Sequence, residues 1–276
     1  MTGLEIMHDH NQRTATRPTQ RAPSERCEPT TKIPVYSRSF GSWHLSLQRQ
    51  PLGTPELTHR YDREASRWSK VLARFGVPHA YESLLRGTLG EAVSAVAGTP
   101  PRVLECGIGT GALSAALEGV LPAGASIDAI DISPAMLEQA HTRFRDSALN
   151  VTLRKADIRE LPYANDRFDI AMTAHVLEHL VEPGEALREM SRVLKPGGLL
   201  IACITRRSAL GMAVHVKWRT HRVTPAQAKE WLIDSGFEHV CCLSYGEGSI
   251  VRHLSVACIG RKPLLAQRPD GLSNPD

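Results

Sequence analysis

A chain of 276 residues is long enough for one full α/β domain with additions. Its net charge of +4 is too small to call for a nucleic-acid partner by itself, and no charge-free apolar run reaches membrane-spanning length. The six cysteines lack CxxC or metal-like spacing, and Cys106, Cys203 and Cys258 fall in apolar strand patterns, which predicts reduced core thiols and a cytoplasmic protein. Adjacent Cys241 and Cys242 would point to opposite faces of a strand, so a bridge between them is not expected.

Residues 1–53 are rich in Arg, Pro, Thr, Ser and His and poor in aliphatic residues, so burial cannot offset their ordering entropy; a disordered arm is predicted. The Arg and Ser/Thr content resembles a transit peptide, but Glu5, Asp9, Glu25 and Glu28 interrupt it. Residues 54–99 read as a helical cap. One helix opens at Thr54-Pro55 and carries Tyr61, Ala65, Trp68, Val71 and Leu72 at helical spacing; a second follows Gly76-Val77-Pro78, from about His79 to Val96.

The stretch Val103-Leu104-Glu105-Cys106-Gly107-Ile108-Gly109-Thr110-Gly111 is a short apolar strand ending in a carboxylate and followed by alternate glycines. Such a loop turns sharply into a helix and leaves no Cβ to block a ligand, which predicts a nucleotide-like cofactor. Asp131 ends a second apolar run twenty residues past Gly111, where a carboxylate can accept hydrogen bonds from both ribose hydroxyls. From Pro101 strands and helices alternate, including a helix from Ser133-Pro134 to Phe144, and this implies a parallel sheet with right-handed crossovers. Phe168 to Met172 reads as another strand.

His175 follows that strand at the carboxyl edge of the sheet, where α/β folds bind ligands; it is the candidate general base, or alternatively a pocket residue bonded to the backbone. His179, one turn later, reads as packing or hydrogen bonding. His175-Val176-Leu177-Glu178-His179 also matches an H-x-x-E-H zinc pattern, but no third ligand is apparent and no metal is expected. Residues 205–223 hold Arg206, Arg207, Lys217, Arg219 and Arg222 with no acid, and Trp218 among them, which suits a carboxylate- or phosphate-bearing molecule or else a solvated basic segment. Thr224-Pro225 opens a helix to Ser235-Gly236. Two closing strands, His239 to Tyr245 and Arg252 to Gly260, should pair antiparallel, and residues 263–276 read as a loose tail.

Across residues 100–262 these motifs in order resemble the class I S-adenosylmethionine (SAM)-dependent methyltransferases of small-molecule type. The resemblance implies a Rossmann-like fold with a mostly parallel seven-stranded sheet, an antiparallel final strand and helices on both faces. It implies SAM as cofactor, with Gly107, Gly109 and Gly111 along its methionine part, Glu105 at its amino group, Asp131 at its ribose, and Ile132, Asp157 and Ile158 at its adenine. Tyr61 in the preceding helix fits a family pattern of residues folded over the cofactor, or is simply part of a packed helix face. Leu194 to Ile201 corresponds to the family's helix stop, turn and fifth strand, and residues 205–223, with Arg206, Arg207, Trp218 and Arg219, to the insertion that builds the acceptor pocket. Methyl transfer by in-line displacement to a small, anionic acceptor is the expectation, with the atom methylated and the oligomeric state left open. The alternatives are an RNA methyltransferase, opposed by Thr173-Ala174-His175-Val176 where base-methylating enzymes carry Asn/Asp-Pro-Pro-aromatic, and an NAD(P)-dependent Rossmann oxidoreductase. Against the latter stands Glu105, whose charge would repel a pyrophosphate.

Overall fold

The computed structural model describes residues 33–49, 52–94, 99–221, 223–246 and 248–264. Most of the expected arm (1–32, 50 and 51) and of the expected tail (265–276) lies outside these. Within the arm, however, β1 (Ile33–Phe40) and β2 (Trp43–Arg49) form an antiparallel hairpin turned at Gly41, whose φ is 58°. The expectation of disorder is corrected for this stretch. The alternation Trp43, Leu45, Leu47 is a strand signal that the arm's Arg- and Pro-rich composition hides when averaged.

Helix α1 (Thr54–Arg74) begins with proline in its first turn, where a missing N–H costs nothing, and stops at Phe75 before Gly76, whose φ of 67° favours glycine. Helix α2 (Val77–Ser94) starts two residues earlier than the His79 expected, because Pro78 is tolerated in a first turn.

The sheet follows. Its strands are β3 (Arg102–Cys106), β4 (Ser126–Asp131), β5 (Asn150–Lys155), β6 (Phe168–Ala174), β7 (Leu194–Thr205), β8 (Glu238–Leu243) and β9 (Ser255–Arg261), and their spatial order is β5-β4-β3-β6-β7-β9-β8. The first five pair in parallel, and β9 runs antiparallel to both neighbours. This is the mostly parallel seven-stranded Rossmann-like methyltransferase sheet the motifs implied. The chain moves outward from β3 to β5 and then returns to lay β6 beside β3, so the carboxyl ends of β3 and β6 form the switch point where such sheets leave a crevice.

Side chains alternate across the central strands and build two cores. Val103, Ile127, Ile170 and Ile201 pack under α2, under the four-residue α3 (Ala112–Ala115) and under α4 (Pro134–Phe144). On the other face Leu104, Ala171 and Leu200 meet α5 (Pro183–Val193) and α7 (Pro225–Asp234). Helix α6 (Ala209–Trp218) lies within the basic segment, and α8 (Val251–Leu254) replaces the first residues expected of the last strand. Helix α7 carries the capping box Thr224/Gln227, which explains its sharp start.

Cys242 and Cys258 sit opposite each other across β8 and β9, with Cα atoms 4.1 Å apart, and are joined as a disulfide. That corrects the expectation of reduced thiols for this pair; Cys106, Cys203 and Cys241 remain free. Strand register created the pairing, and spacing in the sequence does not show register.

Candidate active site

The loop after β3 is closed onto the neighbouring strand: the N–H groups of Gly107 and Ile108 both donate to the Ile130 carbonyl, at 2.8 and 2.9 Å. Its three glycines have φ of 76°, 54° and 79°, yet they serve different needs. A Cβ on Gly107 would overlap Val176 Cγ2, and one on Gly111 would lie 2.6 Å from the Phe144 ring, whereas one on Gly109 would meet nothing within 4 Å. Gly109 is therefore open to ligand, and Gly111, expected to contact a cofactor, instead packs tightly against α4 and does not line the cavity.

That cavity encloses about 990 Å³ of empty space counted out to its mouth. Its wall contains Glu105, Gly107, Gly109, Asp131, Ile132 and Asp157 of the expected cofactor residues, together with Ile158, Tyr61 and the candidate base His175. Glu105, at the end of β3, is 1% exposed and accepts a hydrogen bond from Ser114 of α3. Burial pushes its carboxyl from 4.5 up to about 8, against the hydrogen bond from Ser114, which acts to lower it. A carboxylate in that position suits a ligand that arrives with its own positive charge.

Asp131, at the end of β4, accepts the Gly109 N–H at 2.8 Å through Oδ2 and the Ser133 N–H at 2.9 Å through Oδ1. Burial raises its carboxyl, opposed by these N–H donors. The same carboxylate therefore pins the glycine turn and the start of α4, while each oxygen retains a lone pair for a ligand hydroxyl. Ser133 is itself the N-cap of α4, accepting from Met136 N–H, and donates to Asp62 of α1 at 2.5 Å. Asp62 thus ties the helical cap to the floor of the site, a link no local pattern reveals. Asp157 lines the cavity with its carboxylate paired to Arg159 at 2.8 Å.

His175 sits at φ 58°, a left-handed conformation held by its N–H donating to the Cys203 carbonyl at 2.8 Å. Its Nδ1 lies 2.9 Å from Thr205 Oγ1 and 3.3 Å from Glu178 Oε1. Glu178 is 1% exposed and also accepts the Thr205 N–H at 2.9 Å. Burial alone would raise the Glu178 carboxyl, but hydrogen bonding and charge at His175, with help from Thr205, hold it down at about 2. His179 shares a 2.8 Å hydrogen bond with Tyr61 Oη and is pushed down to about 4 by burial, so at neutral pH it is uncharged. Of the H-x-x-E-H residues, Leu177–His179 form a short 3-10 turn and His175 lies outside it at positive φ; among the described residues no group of three or more His, Cys, Asp or Glu is placed to hold a metal.

A second cavity shares Tyr61, Trp68, Leu72, His175 and His179 with the first. Trp218 lines it, buried and stacked on Tyr61 with ring centroids 4.5 Å apart. The expected acceptor arginines do not reach either cavity: Arg206 donates to the Arg252 carbonyl, Arg207 is exposed, and Arg219 lies 3.7 Å from Glu56. The segment 205–223 does contribute wall residues, Thr205, Val214, Lys217, Trp218 and Thr220, in place of its arginines.

Fold and site together define a Rossmann-like domain with two buried acids, Glu105 and Asp131, at the carboxyl edge of its sheet. The family described as "Methyltransferase domain" matches residues 104–202. Demethylmenaquinone methyltransferase of Clavibacter sepedonicus is 34% identical over 148 residues, covering 54% of this chain and 57% of that protein. Malonyl-[acyl-carrier protein] O-methyltransferase of Herminiimonas arsenicoxydans is 32% identical over 182 residues, covering 63% and 66%. The chain therefore spans less than two thirds of these curated relatives. A SAM-dependent methyltransferase structure from Thermotoga maritima superposes with a TM-score of 0.54 over 74% of this chain and 99% of that one, at 24% identity, a likeness of fold. Residues 104–202 thus match a methyltransferase domain, and the chain is similar to class I SAM-dependent methyltransferases, whose family and fold imply use of SAM.

Proposed function

We propose that this chain transfers the methyl group of SAM to a small-molecule acceptor. The observation that carries the reading is the pair of buried carboxylates, Glu105 and Asp131, ending adjacent parallel strands on either side of an open Gly109. Bound SAM would supply a methyl group on a sulfonium, already a good leaving group. Glu105 would pair with the amine, Asp131 would accept from the ribose hydroxyls, and Ile132 and Ile158 would pack against the adenine, with Asp157 at its edge. Tyr61 would close over the ligand from α1.

The chain's own chemical task is then orientation, worth up to about 7–11 kcal/mol in favourable cases, and removal of a proton. His175 is suited to the second: with Nδ1 turned to Glu178 and Thr205, its Nε2 is the ring atom left for an acceptor proton, and Glu178 acts as a positioning residue that fixes this tautomer. A cytoplasmic location rested on reduced cysteines, and the Cys242–Cys258 pair weighs against it. Among the described residues no helix is long and apolar enough to cross a membrane.

The test is incubation of the purified chain with methyl-labelled SAM and a small-molecule extract of its producing organism, read by mass spectrometry. Labelled low-mass product that disappears in the His175→Asn variant supports the reading; label entering only RNA, or SAM binding without any product, overturns it.

A further inference from the structure

The second cavity holds about 1150 Å³ of empty space counted to its mouth and touches the first along Tyr61, His175 and His179. Its remaining wall is largely apolar, from Trp68 and Val71 on α1 to Val214 on α6 and Leu254 on α8. Two large apolar side chains rim it in the open, Val71 at 39% and Phe75 at 38% exposure. Among the described residues, two charged side chains other than histidine reach this wall, the carboxylate of Glu178 and the ammonium of Lys217, which lies 3.4 Å from Glu64.

We infer that this chamber binds the methyl acceptor, and that the acceptor is an uncharged molecule with an apolar body and one weakly acidic hydroxyl directed at His175. The inference rests on the methyltransferase reading above and departs from the anionic acceptor suggested by the basic segment. An anion entering the chamber would lose its hydration and face Glu178, and among the described wall residues its one cationic partner besides histidine would be Lys217, already 3.4 Å from Glu64. A permanent cation would find one carboxylate already engaged by His175 and Thr205, and Lys217 on the same wall. A neutral body loses little on leaving water and gains apolar contact. Its hydroxyl satisfies the polar end, where Thr205, Glu178 and His175 converge and where Glu178 Oε2 is buried without a hydrogen-bond partner.

Binding of three matched probes to the full chain tests this: 2-naphthol, 2-naphthoate and 2-naphthylmethylammonium, titrated by calorimetry with and without SAM. The expected result is 2-naphthol at least about tenfold tighter than either ion. Filling the chamber by Leu254→Trp, or from the opposite wall by Val214→Phe, should weaken 2-naphthol by at least about tenfold while SAM affinity stays within about twofold. Tighter binding of either ion, or naphthol affinity untouched by both filling variants, overturns the inference. Loss of SAM binding in the wild-type chain with naphthol binding intact would instead overturn the cofactor reading and leave the chamber's preference standing.

Discussion

Asp131 Oδ2 accepts the N–H of Gly109 at 2.8 Å across the gap between β4 and the glycine turn. One carboxylate thereby shapes the loop and faces the same cavity, so its removal acts on fold and ligand together. Asp131→Ala frees two buried N–H groups, those of Gly109 and Ser133, and is expected to lower thermal stability as well as SAM affinity. Asp131→Asn keeps one acceptor oxygen, and calorimetry should show SAM binding weakened by about 1–3 kcal/mol with a smaller loss of stability. Unchanged SAM affinity in both variants would remove Asp131 from the site.

The glycines separate by function. Gly109→Val places its side chain in open cavity space, so the protein should fold, at some cost from the left-handed φ, and fail to bind SAM. Gly111→Ala presses on Phe144 and Arg143 and should chiefly lower the melting temperature. Circular-dichroism melts alongside SAM titrations check the contrast, and equal SAM loss in both at unchanged stability would contradict it.

Glu105 links binding to protons. Its folded-state value of about 8 lies above the ordinary 4.5, so between those pH values the unfolded chain releases a proton that the native chain keeps. Stability from this group is therefore full below about 4.5 and declines as pH rises toward about 8. An arriving ammonium favours the ionised form, so SAM binding near neutrality should expel a proton. Calorimetry in buffers of different ionisation enthalpy should register that release in the wild type and lose most of it in Glu105→Gln; identical release in both would place the amine elsewhere.

His175 is best tested by asparagine, which tolerates the φ of 58° that would strain alanine. His175→Asn should cut turnover by about 10²- to 10⁴-fold with SAM affinity unchanged, and Glu178→Gln should also lower turnover without weakening SAM, since it removes the charge that orients the ring. Stopped-flow turnover with parallel SAM titration checks both. Full activity in His175→Asn would leave the acceptor proton to another group or to water.

Much of this was legible before any coordinates. Alternating strands and helices, the carboxylate before the glycines and Asp131 after the second strand are local patterns, and the parallel sheet carries each to the same edge. What escaped depends on contacts distant in sequence. Asp62 meets Ser133 across 71 residues, and Cys242 meets Cys258 only through strand register. The basic segment misled because a run of arginines shows charge but not direction: α6 buries Trp218 toward the cavity, while Arg206 and Arg219 turn to the Arg252 carbonyl and to Glu56. Glu178 was visible three residues from His175, yet its contact with Thr205 at the end of β7 was not.

Titration of the full chain with SAM and, separately, with NAD tests the central claim most directly. Saturable one-to-one binding of SAM, with no heat from the dinucleotide, is the expected result, because Glu105 gains a partner in an amine and offers none to a diphosphate. Saturable binding of NAD with none of SAM would contradict it.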